Sequence, residues 1–390
     1  MTMGYVLLQN LRRNPLRTAL TATAFALPMA VFVIAISIVL NLAIMSQDLA
    51  KQLRAAVHHR VSFTNFLPEG MRSRIQALDQ GKNRLTAVCG MRWFGGRVPG
   101  AQNIVQSLAA DHDTFPIVYP DVAMSEHEIA EWNRERRACV VGKLIAEQYG
   151  WKVGSQFSLQ SSIPPYQELE FVCVKIVELS SRQSVMYFRR DYLENSLEAL
   201  GAGPGGCNVF WIRARDAESL LALQRDIDAA FANSPDETKT EDENAFIAGF
   251  IQAAGNIPGL MQMLAVVVVV ILGLVGGNTM MMSLRERMAE LAVFKAIGFH
   301  SLRVFRLVLT ESVILAIGGA AAGVIPVWAL LNLIPLSVPG RGPSMPLTAS
   351  WQGAAGSLFI AALIGFAAGL WPAYQAMRLK TVNALRNIGE

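Results

Sequence analysis

Four long intervals without a charged side chain govern what this chain can fold into. They lie between Arg17 and Asp48, Glu243 and Arg285, Glu311 and Arg341, and Arg341 and Arg378. A helix needs about 20 mostly apolar residues to cross the hydrocarbon core of a bilayer. Each interval is long enough, and each has a dense apolar centre, at 24–42, 260–275, 313–333 and 354–371. Buried helices of a large soluble protein are the alternative. Charged residues make up only 16% of the chain, against roughly 25% in a soluble domain. The sequence therefore predicts an α-helical membrane protein with four transmembrane helices, plus a mixed α/β extracytoplasmic domain inserted between the first two.

The expected division is a cytoplasmic interfacial helix at 1–17, transmembrane helix 1 at 18–45, and the periplasmic α/β domain with stalk helices at 46–256. Transmembrane helix 2 follows at 257–284, then a cytoplasmic coupling helix and loop at 285–303 and transmembrane helix 3 at 304–336. A periplasmic loop at 337–349, transmembrane helix 4 at 350–377 and a cytoplasmic tail at 378–390 complete it. Arg12, Arg13 and Arg17 ahead of an apolar run also fit a signal peptide. That run exceeds the 7–15 apolar residues of a signal sequence and has no evident cleavage site, so it reads as an uncleaved anchor. Leu7, Leu8 and Leu11 share a helical face opposite Arg12 and Arg13, the pattern of a short helix lying on the membrane surface. The frayed start of the first span is the plainer reading of the same residues. Pro28 is expected to kink that span.

Charge sets the orientation. Residues 46–256 carry 22 Lys/Arg and 26 Asp/Glu, and the remainder carries 12 and 4. Eleven of those 12 basic residues fall before the first span, between the second and third, or after the fourth; Arg341 is the exception. The positive-inside rule then places both termini and the 285–306 loop in the cytoplasm and the inserted domain outside. The overall charge of +4 reflects this topology, and nucleic-acid binding is not indicated.

The inserted segment holds all four cysteines, Cys89, Cys139, Cys173 and Cys207. Two disulfides in any of three connectivities, or buried free thiols, fit equally. His58, His59, His112 and His127 lack metal-ligand spacing. Strands are expected at 86–93, 103–108, 138–141, 156–160, 170–178 and 208–214. Helices are expected at 126–134, 142–149, 190–200 and 216–232, the last begun by Asp216. A helical continuation of span one over 46–57, and a helix from Glu243 interrupted near 255–259, would form a stalk. Pro164 and Pro165 punctuate a loop that reads as an ordinary turn or, less simply, as a docking element.

No phosphate-cradling loop is present, since Gly142 and Lys143 lack the flanking glycine and hydroxyl residue. The informative stretch is 284–299. Arg285 to Ile297 are good helix formers, Gly298 suits a C-cap, and Ser301 suits the cap of the next helix. A short helix between two spans is suited to docking on a soluble partner. A solvated linker steadied by an Arg287–Glu290 pair is the alternative.

Arg285, Arg287, Glu290, Leu291, Phe294, Lys295, Ala296, Ile297 and Gly298 match the pattern R-x-R-x-x-E-[IL]-x-x-[LF]-[KR]-A-[IL]-G. This stretch resembles the signature of the MacB/FtsX-like permease family of ABC transporters. Glu311 with Gly318, Gly319 and Gly323 resembles the family's third span, and 372–386 its usual ending. The Leu11–Thr18 stretch and residues 141–154 are also similar to it. The resemblance implies that Arg285, Glu286, Arg287, Glu290, Leu291, Phe294, Lys295 and Gly298 contact an ATPase. It implies a dimer (homodimer or with a related permease) and mechanotransmission, in which ATP-driven motion reshapes the external domains. This chain is expected to bind no cofactor and catalyse no reaction, with ATP and Mg on a separate cytoplasmic ABC ATPase. Export with a periplasmic adaptor and outer-membrane channel is the leading expectation. Release of lipoproteins or lipids, and activation of a cell-wall hydrolase in the manner of FtsX, are the alternatives. Residue spacing further marks Gly319/Gly323 and Gly365/Gly369 for close helix packing, with lipid-exposed glycines as the alternative. It marks Glu311 for reaching the membrane interface or pairing with Arg303 or Arg306, ahead of a role in a transport pathway.

Overall fold

A computed structural model describes residues 15–101, 103–179, 181–202, 205–253, 257–334, 337–338, 345–346 and 348–379. The proposed interfacial residues Leu7, Leu8, Leu11, Arg12 and Arg13 lie outside them. The chain divides into two compact units. One comprises 1–41, 258–336 and 347–390, and the other 42–257 and 337–346.

The first unit contains four helices long and apolar enough to cross a membrane. These are α1 (Pro15–Ala50), α9 (Ile257–Glu286), α11 (Ser301–Leu333) and α12 (Trp351–Arg378). Helix α1 runs unbroken through Pro28. The bundle core joins Phe25, Met29 and Phe32 of α1 to Leu272 of α9, Ala316 and Ala320 of α11 and Ala361 of α12. Outward side chains such as Val266, Leu274, Phe359 and Leu363 are apolar and exposed, as a lipid-facing surface requires. Trp351 at the start of α12 and Trp371 near its end are 70% and 62% exposed, which suits indole rings at the two membrane interfaces.

The four glycines singled out in the sequence sit where helices meet. A Cβ on Gly319 would stand 2.7 Å from Phe25 Cβ, and one on Gly323 would overlap the Ala26 carbonyl. On α12, a Cβ at Gly365 would stand 2.5 Å from Ala316 Cβ, and one at Gly369 2.7 Å from Ser312 Cβ. Ser312 uses that closeness, its Oγ donating to the Gly365 carbonyl at 2.6 Å. Backbones this near gain dispersion contacts that larger residues would prevent.

The second unit is built on a mixed sheet of 11 strands in the order β11-β1-β10-β2-β5-β9-β6-β8-β7-β3-β4 among the described residues. The strands are β1 (Arg54–His59), β2 (Leu85–Trp93), β3 (Gly96–Arg97), β4 (Ile104–Val105), β5 (Ser107–Ala110), β6 (Ala138–Gly142), β7 (Gln156–Ser161), β8 (Glu168–Val177), β9 (Met186–Arg189), β10 (Val209–Ala214) and β11 (Thr238–Asp242). Pairs β5/β9 and β6/β8 are parallel, and the others antiparallel. Around it lie α2 (Gly70–Leu78), α3 (Phe115–Val118), α4 (Glu126–Arg134), α5 (Lys143–Tyr149), α6 (Arg190–Ala199), α7 (Ala217–Phe231) and α8 (Glu243–Ala253). Helix α4 opens with a Ser125–Glu128 capping box, and Asp216 caps α7 by accepting from Ser219 N. Leu220, Leu223, Ile227 and Phe231 of α7 pack with Met71 and Ile75 of α2 over Val57 and Phe210.

The structure differs from expectation at several points in this unit. The first span continues as a helix only to Ala50 and not to 57, because β1 begins at Arg54. Ala55 to Val57 are buried on both faces of the sheet, so tertiary pairing overrides the local helical pattern. Strands β1, β3, β9 and β11 and helices α2 and α3 fall outside the expected elements. The expected 103–108 strand is two pieces, β4 and β5. All four cysteines are free and buried; Cys89 and Cys207 belong to different apolar clusters, while Cys139 and Cys173 are register partners on β6 and β8.

A cluster of four charges lies inside this unit. Arg54 Nε donates to Glu243 at 2.7 Å, and its Nη2 donates to Asp121 at 2.9 Å. Arg182 Nε reaches Asp121 at 3.4 Å, and its Nη2 binds Glu243. Burial alone would raise the Asp121 carboxyl. The hydrogen bond from Arg54 and the charge of Arg182 overcome that and hold it below the ordinary aspartate value. The unfolded chain therefore takes up the proton first as pH falls. The stability from Asp121 is complete at neutral pH and disappears as pH drops through the folded-state value, below about 4.

Two expected outcomes follow. Thermal unfolding of the chain in detergent should be flat with pH near neutrality and fall steeply below about pH 4, while Asp121→Asn should remove part of that dependence. Gly323→Leu should force α1 from α11 and cost at least ~1–3 kcal/mol, lowering the melting midpoint by several degrees. Gly318→Leu, where a side chain meets open space, should leave it nearly unchanged.

Candidate functional site

The segment between the second and third spans is assembled from local signals and three ties to neighbouring helices. Helix α9 extends through Arg285 to Glu286, and the backbone of Arg287 leaves helical geometry at φ −108°, ψ 10°. A separate short helix, α10 (Met288–Ala296), follows. The expected single helix from 285 is thus two, and Arg285 and Glu286 belong to the spanning helix.

Helix α10 ends in a Schellman motif. Gly298 takes φ +100°, its N–H donates to Lys295 O at 3.1 Å, and Phe299 N–H donates to Phe294 O at 3.0 Å. The Phe294 and Phe299 rings, 5.5 Å apart, supply the apolar contact that accompanies this cap. The next helix begins differently from expectation. His300 is the N-cap, its Nδ1 accepting from Leu302 N at 3.4 Å, and Ser301 is the first helical residue.

The inner face of α10 is apolar. Leu291 and Ala292 are buried, and Leu291 clusters with Leu284 of α9, Val304 of α11 and Ala376 of α12; Phe294 packs against them. Arg287 Nη1 donates to both oxygens of Glu311, at 2.9 and 2.7 Å. Those side chains are 15% and 9% exposed, so the pair is well shielded. Arg287 also meets Glu290 at 3.4 Å. Glu311 therefore pairs with Arg287, 24 residues upstream, rather than with Arg303 or Arg306. Those two arginines lie on exposed faces of α11, and the turn at 297–300 brings α10 back along the buried side. Lys295 Nζ donates to the carbonyls of Met377 and Leu379 at 2.7 and 2.9 Å. An ammonium there satisfies carbonyls left open at the end of α12 and complements its dipole.

The outer face differs. Met288, Val293, Ile297, Phe299 and Leu302 are exposed, Ile297 at 72%, with Arg285 and Glu286 also exposed beside them. A short helix fixed on one side and apolar on the other can receive a complementary groove. Among the described residues no His/Cys/Asp/Glu group is arranged to hold a metal.

The descent of this segment is decided by sequence comparison. Residues 263–381, which contain α10 and most of the helices it is tied to, match the FtsX-like permease C-terminal family. The "Uncharacterized ABC transporter permease MJ1507" of Methanocaldococcus jannaschii is 24% identical over 340 residues, covering 81% of this chain and 79% of that protein. The chain is thus similar to ABC transporter permeases of the FtsX/MacB type. The permease is also similar to the "Macrolide export ATP-binding/permease protein MacB" of Sodalis glossinidius. That match is 32% identical and covers 32% of this chain and 19% of the relative. A "Pyoverdine export ATP-binding/permease protein PvdT" of Pseudomonas syringae pv. syringae is 30% identical over 35% of this chain and 21% of the relative. The permease thus spans about a fifth of the length of those two. The solved extracellular domain of the ABC-type transporter YknZ aligns with 48% of this chain and 99% of that one, at 11% identity and a TM-score of 0.33.

Arg287→Glu should place like charges beside Glu311 and cost ~3–5 kcal/mol of local stability, the cost of breaking a shielded pair. Combining it with Glu311→Arg should recover most of the loss in a detergent melt. Recovery absent in the double variant would mean the pair contributes nothing. Gly298→Val should weaken the cap by ~1–3 kcal/mol through backbone strain alone, since a side chain there meets open space.

Proposed function

We propose that this permease works by mechanotransmission. A cytoplasmic ABC ATPase, which binds ATP and Mg, docks on the outer face of residues 285–299, and its nucleotide cycle moves the spans and reshapes the inserted domain. The observation that carries the reading is the two-sided nature of α10. Its inner side is tied to α11 and α12 by Arg287–Glu311 and Lys295, and its outer side presents Met288, Val293 and Ile297. A partner gripping the outer side would move both spans, because α10 is not a slack linker. Arg285, Glu286 and Glu290 add charge to the docking surface, while Leu291, Phe294 and Gly298 hold its shape.

In this reading the 285–306 loop and both termini are cytoplasmic, as the distribution of Lys and Arg supports. The inserted domain then lies outside the inner membrane. Two permease copies, or one with a related permease, would pair with two ATPase subunits. Export is favoured among the possible outputs by the likeness to MacB and PvdT, whose names specify export. A periplasmic adaptor and an outer-membrane channel would complete such a route.

The test is co-purification of tagged permease from native membranes, with mass spectrometry of what is retained. A separate ABC ATPase should be recovered, and Ile297→Glu should reduce its recovery at least about tenfold while leaving permease yield unchanged. An adaptor or channel in the same eluate would support export, and a peptidoglycan hydrolase in its place would support signalling. If wild-type permease retains no ATPase, the reading fails.

A further inference from the structure

We propose that Arg54, Asp121, Arg182 and Glu243 form a joint that ties together the two places where the chain enters and leaves the inserted domain. Force reaching the domain through either end would then act on one rigid element. This deepens the mechanotransmission reading and rests on it.

Position is the first argument. Arg54 opens β1, four residues after α1 ends at Ala50, and Glu243 opens α8, which leads towards α9. Asp121 lies in the 3-10 turn Pro120–Val122, and Arg182 in the connection between β8 and β9. Four segments distant in sequence thus converge on one point.

Geometry is the second. Each guanidinium touches both carboxylates, so the contacts close into a ring: Arg54–Asp121, Asp121–Arg182, Arg182–Glu243 and Glu243–Arg54. Side-chain exposure is 0% for Arg54, 1% for Glu243, and 5% for Asp121 and Arg182. The Tyr119 ring lies against both guanidinium carbons, at 4.3 and 4.8 Å. Arg54 Nη1 also donates to the Val118 carbonyl at 3.1 Å, and Arg182 Nη1 to the Tyr187 hydroxyl at 3.3 Å. Two positive and two negative groups balance, and each of the six guanidinium nitrogens has a hydrogen-bond partner. At these exposures the four side chains are closed to solvent, which separates the cluster from an open catalytic or binding site.

Energetics is the third. Well-packed apolar residues usually stabilise a fold as well as a buried ion cluster does, so stability is a poor account of four buried charges. An apolar contact can slide, whereas charge-assisted hydrogen bonds hold their partners in fixed direction and at fixed distance. A ring of them at the two chain crossings keeps β1 and the start of α8 from shearing past each other.

The experiment uses the full chain in lipid nanodiscs with spin labels on Lys51→Cys and Gln252→Cys, one on each connection. Both native positions are exposed, and the four native cysteines are buried and stay unlabelled. The otherwise wild-type chain should give one narrow distance. Glu243→Gln should at least double the width of the distribution. Because that variant leaves two buried guanidiniums facing a single carboxylate, it is accompanied by the fourfold apolar replacement Arg54→Met, Asp121→Leu, Arg182→Met and Glu243→Leu. The fourfold variant should melt within a few degrees of wild type yet show the same broadening. A broad wild-type distribution, or a folded fourfold variant as narrow as wild type, would overturn the joint. Adding the co-purified ATPase with nucleotide tests the underlying reading separately. No nucleotide-dependent shift in wild type would refute the drive while leaving the width comparison to decide the joint.

Discussion

A domain inserted between two membrane crossings has to begin and end in one place, and that constraint organises the whole extramembranous unit. It is met by pairing the first strand with the last. β1 and β11 run antiparallel with Ala55 opposite Asp242 and His59 opposite Thr238, and β10 joins β1 on its other side. The rest of the sheet extends from this closure in one direction only. On the other side β11 stays an edge of five mostly polar residues, a composition that discourages further strands from adding.

The two units solve the problem of buried charge differently. In the inserted domain a neutral ring of four ions is enclosed by aromatic side chains and supplied with extra acceptors. In the helical unit a shielded pair, Arg287 with Glu311, is placed where the loop returns over the helices, close to the end of the apolar stretch. Both avoid an uncompensated charge in a medium that solvates it poorly. Close packing does the remaining work in the bundle, where Gly319, Gly323, Gly365 and Gly369 let backbones approach within contact distance.

How much of this was legible in the sequence depended on the range of the interaction. The spans were legible because lipid tolerates few charges, so their absence over long intervals is itself the signal. Helix α7 was legible because Asp216 caps it from an adjacent position, whereas the Ser125–Glu128 capping box of α4 emerged only in the structure. Strand β9 was missed because four residues buried throughout show no alternation, and β11 because Thr238–Asp242 is polar on an edge. Strand β1 was masked by the helix-like run before it. The partner of Glu311 was misassigned for a related reason. Arg303 and Arg306 are near in sequence, but only the Gly298 turn determines that Arg287 is near in space. Of the candidate site, residue types and the Gly298 cap were readable, while the break at Arg287 and the hold of Lys295 on α12 were not.

That hold has a consequence for how the permease can change over time. Lys295 binds main-chain oxygens at 377 and 379, which every residue type provides. The identities at those two positions are therefore free to drift as far as this bond is concerned, whereas Lys295 itself is not. Variation should be unequal across the contact, tolerated on the α12 side and penalised on the α10 side. The tie between the two helices would persist while the end of α12 diverges.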